Sequence, residues 1–177
     1  MVRLMTGDER LRVMVRDERF VLGQRGRMIV TVTTKPPTGD SIGRFVAWLD
    51  RATQTANGPL VGVIIPSAER PGFDAEARDA ARQMWARFED SLGAVAVWIR
   101  RESFVGALQR SLVTAVLMIR RANIANRVVG SAGDAIDFLG VAPEFERAAW
   151  TLDLTAFATA HDPRNARVEP EAPKPYR

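Results

Sequence analysis

Apolar and polar positions divide the chain into a β-patterned opening and a longer stretch in which short apolar runs alternate with helical stripes. Residues 11–15 (Leu-Arg-Val-Met-Val) read as a strand, a polar turn follows at 16–19, and Phe20, Val21 and Leu22 resume a second one. Gly23 and Gly26 bound what reads as a hairpin turn. After it Met28, Val30 and Val32 alternate with Ile29, Thr31 and Thr33, which is strand chemistry in both period and composition. The pattern predicts an opening meander of three antiparallel strands.

Lys35, Pro36, Pro37, Thr38 and Gly39 stop the third strand. Asp40 or Ser41 is then placed to cap a helix with its stripe at Ile42, Phe45, Val46, Leu49 and Ala52, closed by Asn57, Gly58 and Pro59. Residues 60–65 (Leu-Val-Gly-Val-Ile-Ile) form an unbroken apolar run, the mark of a central strand covered on both faces. A loop at 66–72 leads to Asp74, the expected cap of a helix carrying Ala77, Ala81, Met84, Trp85 and Phe88. Next comes a β-α-β-α unit: an apolar run at 94–99, a helix over 103–123, a short run at 127–129 and a short helix at 134–139. Its long helix shows Phe104, Leu108, Leu112, Ala115, Val116 and Ile119 along one face. Leu117 and Met118 lie off that face, so the helix is apolar most of the way round. It reads as a core helix, as a subunit contact, or as one wall of a site for a small apolar ligand. Pro143 opens a last helix with Phe145, Ala149, Trp150 and Leu152.

The predicted fold is α/β: a mixed sheet opened by an antiparallel β-meander, followed by β-α-β-α units, with an extra C-terminal helix. One domain over 1–160 is expected. Beyond it the chain turns polar, with Pro163, Pro170, Pro173 and Pro175, and residues 161–177 read as a disordered tail.

Composition narrows the chemistry. The chain has no Cys and one His, His161, so cysteine nucleophiles and disulfides are excluded and a metal centre or catalytic triad would rest on that single imidazole. No cofactor or metal is expected. The net charge is +4, and only Lys35 and Lys174 among the 25 basic residues are Lys. Arg lifts the pI to about 10.5 without a concentrated basic stripe, so nucleic acid is not an expected partner. No apolar run approaches the ~20 residues of a membrane span. The opening residues lack the apolar core of a signal peptide, and a cytoplasmic chain is expected.

This element order resembles the STAS fold of anti-sigma-factor antagonists, and more closely the SpoIIAA-like proteins grouped with lipid-binding domains. The likeness runs from about residue 11 to 139. It is carried by the apolar strand 60–65 with its Ser-containing loop and helix, and by the closing pattern 127–130 and 135–139. The resemblance implies a non-enzymatic, cytoplasmic regulatory or scaffolding module that acts by binding a protein partner or a second copy of itself. It also implies a phosphorylatable residue in the loop after the central strand, here Ser67, although Ile65 stands where the family usually has Asp. Ser67, Glu69, Arg70 and Asp74 are the candidate switch or ligand loop. Trp48, Trp98, Leu117, Met118, Phe145 and Trp150 are the candidate interface residues. Binding of a small apolar, lipid-like ligand, or catalysis from the loop at 67–74, is the alternative.

Overall fold

The computed structural model describes residues 10–66, 73–100, 124–163 and 165. Within them six strands form one sheet in sequential order: β1 (Arg12–Arg16), β2 (Phe20–Arg25), β3 (Met28–Thr33), β4 (Leu60–Pro66), β5 (Leu92–Trp98) and β6 (Ala125–Val129). β1, β2 and β3 pair antiparallel, and β3 to β6 pair parallel. The mixed sheet with its opening meander is therefore present. So is the side-by-side parallel pairing of the two late apolar strands. The helix expected over 103–123, with Leu117 and Met118, lies outside the described residues.

Helices α1 (Gly39–Thr55) and α2 (Ala75–Arg87) connect β3 to β4 and β4 to β5. Successive crossovers of one hand, each moving a strand further along the sheet, put their helices on the same face. Both pack there on Phe20, Leu22, Ile29, Leu60, Val95 and Val97. Helices α3 (Ala132–Leu139) and α4 (Arg147–Ala160) cover the opposite face over Val21, Val30, Val32, Val63, Ala96 and Trp98. The alternation of β3 thus divides its residues between two cores, and the unbroken apolar run of β4 reflects cover on both sides.

Two local expectations are corrected. Thr38, rather than Asp40 or Ser41, caps α1: its hydroxyl accepts from Ser41 N at 3.3 Å, and Ser41 Oγ accepts from Thr38 N at 2.9 Å. This reciprocal pair satisfies donors that the helix start leaves open. Gly23 is not a turn residue either. β2 continues through it to Arg25, Gly23 pairs with Val30, and the turn is Gly26–Arg27, with Gly26 at φ 53°. Glycine stands at 23 because the ring of Phe157 from α4 lies on it: a Cβ there would come within 2.6 Å of that ring.

Polar contacts fix the second layer. Arg25, 7% exposed, donates from Nη1 to Asp153 at 2.8 Å and lies 4.1 Å from the ring centroid of Trp150. Trp150 Nε1 donates to Glu146 at 3.0 Å. Arg147 donates through two nitrogens to both oxygens of Asp137, joining α4 to α3 and holding the Asp137 carboxyl below its ordinary range. The ordered domain also reaches past residue 160. Asp162 is buried and takes Arg100 Nη1 at 3.0 Å, so the polar stretch expected from 161 begins with an anchored residue.

Gly23→Ala is expected to cost about 1–3 kcal/mol in urea unfolding through overpacking against Phe157, with partial recovery when Phe157→Leu is added. A neutral Gly23→Ala variant would show that the ring does not hold this position. Burial lowers the pKa of His161 from 6.5, and Arg16 adds to the effect. The unfolded chain therefore takes up this proton first as pH falls. The contribution is complete above 6.5 and is lost as pH drops through that value toward the lower folded one. His161→Phe is expected to flatten the urea midpoint across that window; unchanged pH dependence would contradict the assignment.

Candidate functional site

The two faces of the sheet are filled to different degrees. Under α3 and α4 the β4 residues Val61, Val63 and Ile65 are 0–5% exposed and close-packed. On the other face β4 presents Leu60, Gly62 and Ile64, and Gly62 pairs with Ile29 on one side and Val95 on the other. A glycine in the interior of a central strand gives up side-chain packing and often marks close approach of a ligand or another backbone. A cavity of about 150 Å³ lies here, between the sheet and the helices α1 and α2.

Its floor is Ile29, Thr31, Thr33, Gly62, Ile64 and Val95. α1 supplies Ile42, Phe45 and Leu49, and α2 supplies Ala81, Met84 and Trp85. Phe20, Phe45 and Trp48 brace one side: Phe20 meets Phe45 edge-on at 5.9 Å, and Phe45 stacks on Trp48 at 6.5 Å. Protein interiors hold few voids larger than a water molecule, so an opening of this size stands out.

The wall is apolar nearly throughout, and toward the carboxyl end of β3 it includes two threonines. Thr31 and Thr33 share the cavity face with Ile29, and neither hydroxyl has a hydrogen-bond partner among the described residues. Arg19 and Lys35 follow at the same end. Arg19 Nη1 donates to the Pro36 carbonyl at 2.8 Å, which fixes the guanidinium, while Nη2 has no partner among the described residues. Glu18 lies 3.6 Å from Arg19 Nε and 3.4 Å from Lys35 Nζ, so one exposed carboxylate serves two cations. A carboxylate of α2, Glu76, lies against Gly39 in the first turn of α1 and supplies the negative charge a helix start favours. The cavity lies over the middle of the parallel strands, across Ile29, Gly62 and Val95, and extends to Thr33 at the carboxyl end of β3.

The expected loop residues meet this site in one respect. Ser67, Glu69 and Arg70 lie outside the described residues, but the segments on either side, Ile64 of β4 and Phe73 before α2, both line the cavity. Asp74 is exposed and does not line it; its Oδ1 accepts from Ala77 N at 2.7 Å and caps α2. Of the interface candidates, Trp48, Trp98 and Trp150 are at least nine-tenths buried in the chain's own two cores and are not available to a partner. Phe145 stands in solvent at 86% exposure, with Leu152 of α4 at 70%. Among the described residues no group of three His, Asp or Glu side chains could hold a metal ion. Nor, among them, is any helix long and apolar enough to cross a membrane.

No protein-family model matches the chain, and no curated protein matches it. Two solved structures are similar to it. One is an uncharacterized protein from the DUF3478 family with a SpoIIAA-like fold from Shewanella loihica PV-4: 12% identity, 77% of this chain and 99% of that chain covered, TM-score 0.48. The other is an enoyl-CoA hydratase from Geobacillus kaustophilus HTA426: 8% identity, 82% of this chain and 90% of that chain covered, TM-score 0.39. The first has the SpoIIAA-like fold that the sequence resembles.

Gly62→Ala tests the open space directly. The new Cβ would meet Val95 Cγ2 at 3.5 Å, an ordinary contact, and Gly62 has no positive φ. The substitution is expected to raise stability by about 0.5–1 kcal/mol, the usual cost of glycine against alanine inside a strand. Clear destabilisation in thermal and urea unfolding would mean the space above Gly62 is already occupied.

Proposed function

We propose that this chain is a non-enzymatic regulatory module that takes a small apolar ligand between its sheet and helices α1 and α2. One observation carries the reading: the apolar cavity over Gly62, in a face of the sheet that is otherwise well packed. Small-molecule sites are concave and mostly apolar, with a few polar groups that set orientation. Thr31, Thr33, Arg19 and Lys35 stand together at one end of an otherwise apolar wall. An apolar cavity of about 150 Å³ suffices for a molecule the size of benzene. In this reading the loop at 67–74 joins two cavity-lining segments, and a phosphate on Ser67 would alter the charge at the site.

Toluene is a suitable neutral probe. At ten times its Kd it is expected to stabilise the chain by about 1.4 kcal/mol, a Tm rise of roughly 3–6 °C for a chain of this size. Gly62→Val, which fills the space with side-chain carbons, is expected to remove the shift. No shift at the solubility limit, or the same shift in the variant, would end the proposal.

A second reading, a protein contact, is favoured by the outer face of α4 and the turn before it. Ala149, Leu152 and Ala156 follow one another at helical spacing on that face, Phe145 stands in the 3-10 turn that precedes the helix, and all four are exposed. The partner this reading commits to is a second copy meeting the same face, which is self-complementary and uncharged along the stripe. Sedimentation should show association that weakens with dilution and is absent from the Phe145→Ser, Leu152→Ser double variant. A wild-type chain that stays monomeric at every accessible concentration would dispose of it.

A further inference from the structure

Resting on the ligand reading above, we propose that the cavity's ligand is an uncharged single-ring aromatic molecule, held by ring and sulfur contacts rather than by hydrogen bonds. The wall sets the charge. It is apolar nearly throughout, and an ionised head group moved into such surroundings loses its hydration without replacement. Arg19 and Lys35, at one end, already meet the Pro36 carbonyl and the Glu18 carboxylate.

The floor sets the shape. A Cβ at Gly62 would meet the methyl groups of Val95 at 3.5 and 3.8 Å, and no other described side chain within 4 Å. The free space therefore lies above the bare backbone of Gly62 and on its far side from Val95, toward Ile29 of β3. Neighbouring strands stand about 4.8 Å apart, so Ile29 and Val95 flank Gly62 closely and bound a slot. A flat ring enters such a slot more readily than a puckered ring of the same carbon count. A cavity of about 150 Å³ holds one six-membered ring and excludes a long acyl chain or a sterol from full burial.

The side chains around the slot favour a π system over an aliphatic body. Phe20, Phe45, Phe73 and Trp85 line it, with Met84 beside Trp85 on α2. Phe20 and Phe45 already meet edge-on at 5.9 Å, so a bound ring extends an existing aromatic cluster. Aromatic pairs gain more than their buried area alone provides, and a thioether sulfur at a ring edge adds to it.

Toluene and methylcyclohexane test this, since they share a carbon skeleton and differ in planarity and π electrons. Each is titrated into the full chain, and each Kd is scaled by the compound's water-to-hexadecane partition coefficient so that hydrophobicity cancels. The scaled affinity of toluene should exceed that of methylcyclohexane by about threefold to tenfold. Met84→Leu, which nearly conserves volume, should reduce the preference, and Phe45→Leu with Met84→Leu should bring the two compounds level. Gly62→Val should abolish binding of both. Equal scaled affinities in the wild type, lost in Gly62→Val, would overturn the aromatic ligand and leave the cavity standing. A preference unchanged in the double variant would also overturn it. Binding of neither compound, or binding indifferent to Gly62→Val, would remove the cavity reading and this one with it.

Discussion

β4 is paired along both edges and covered on both faces, and the rest of the structure depends on how it meets those two demands. Hydrogen bonding to β3 and β5 fixes its register, so its side chains cannot change faces without a one-residue slip of the whole ladder. Val61, Val63 and Ile65 fill one face. Leu60, Gly62 and Ile64 leave a gap in the other, under helices that their own caps and stripes hold in place. The opening follows from that asymmetry, because neither α1 nor α2 can collapse onto Gly62 while Leu49, Met84 and Trp85 rest on the flanking residues.

The opposite layer supplies the rigidity that such an opening requires. Arg25 stacks on Trp150 and pairs with Asp153, Phe157 rests on the bare backbone of Gly23, and Arg147 joins α4 to α3 through Asp137. These contacts reach from β2 to the last helix and tie the antiparallel meander to the parallel half of the sheet. Arg25 is nearly buried, and its value lies as much in fixing the position of α4 as in net free energy. A sheet held firmly from one side tolerates incomplete packing on the other.

Much of this architecture was legible in the residue pattern because hydrophobic period is a direct record of burial. The alternation of Met28 to Thr33 and the unbroken run at 60–65 gave the strand types and the central place of β4. The site was less legible. Thr31 and Thr33 look like ordinary outward-facing strand residues until α1 is known to cover that face. Gly62 looks like a minor interruption in an apolar run, yet a glycine at a central strand position was the available signal. Gly23 was misread as a turn residue because its reason for being glycine, Phe157, is far away in sequence. The tryptophans invited an interface reading for the same cause: pattern shows that a residue is apolar, and only packing shows which surface covers it. The charged pair Arg19 and Lys35 is separated by a whole hairpin, and only the β2–β3 pairing brings it together.

Methyl-resolved NMR during titration with toluene tests the central claim, that the two faces of one strand differ in packing, most directly. The methyl groups of Ile29, Ile42, Leu49 and Val95 should shift, and those of Val30, Val32 and Ile65 on the other face should stay in place. Shifts spread over both faces, or confined to the α3 and α4 side, would contradict the account.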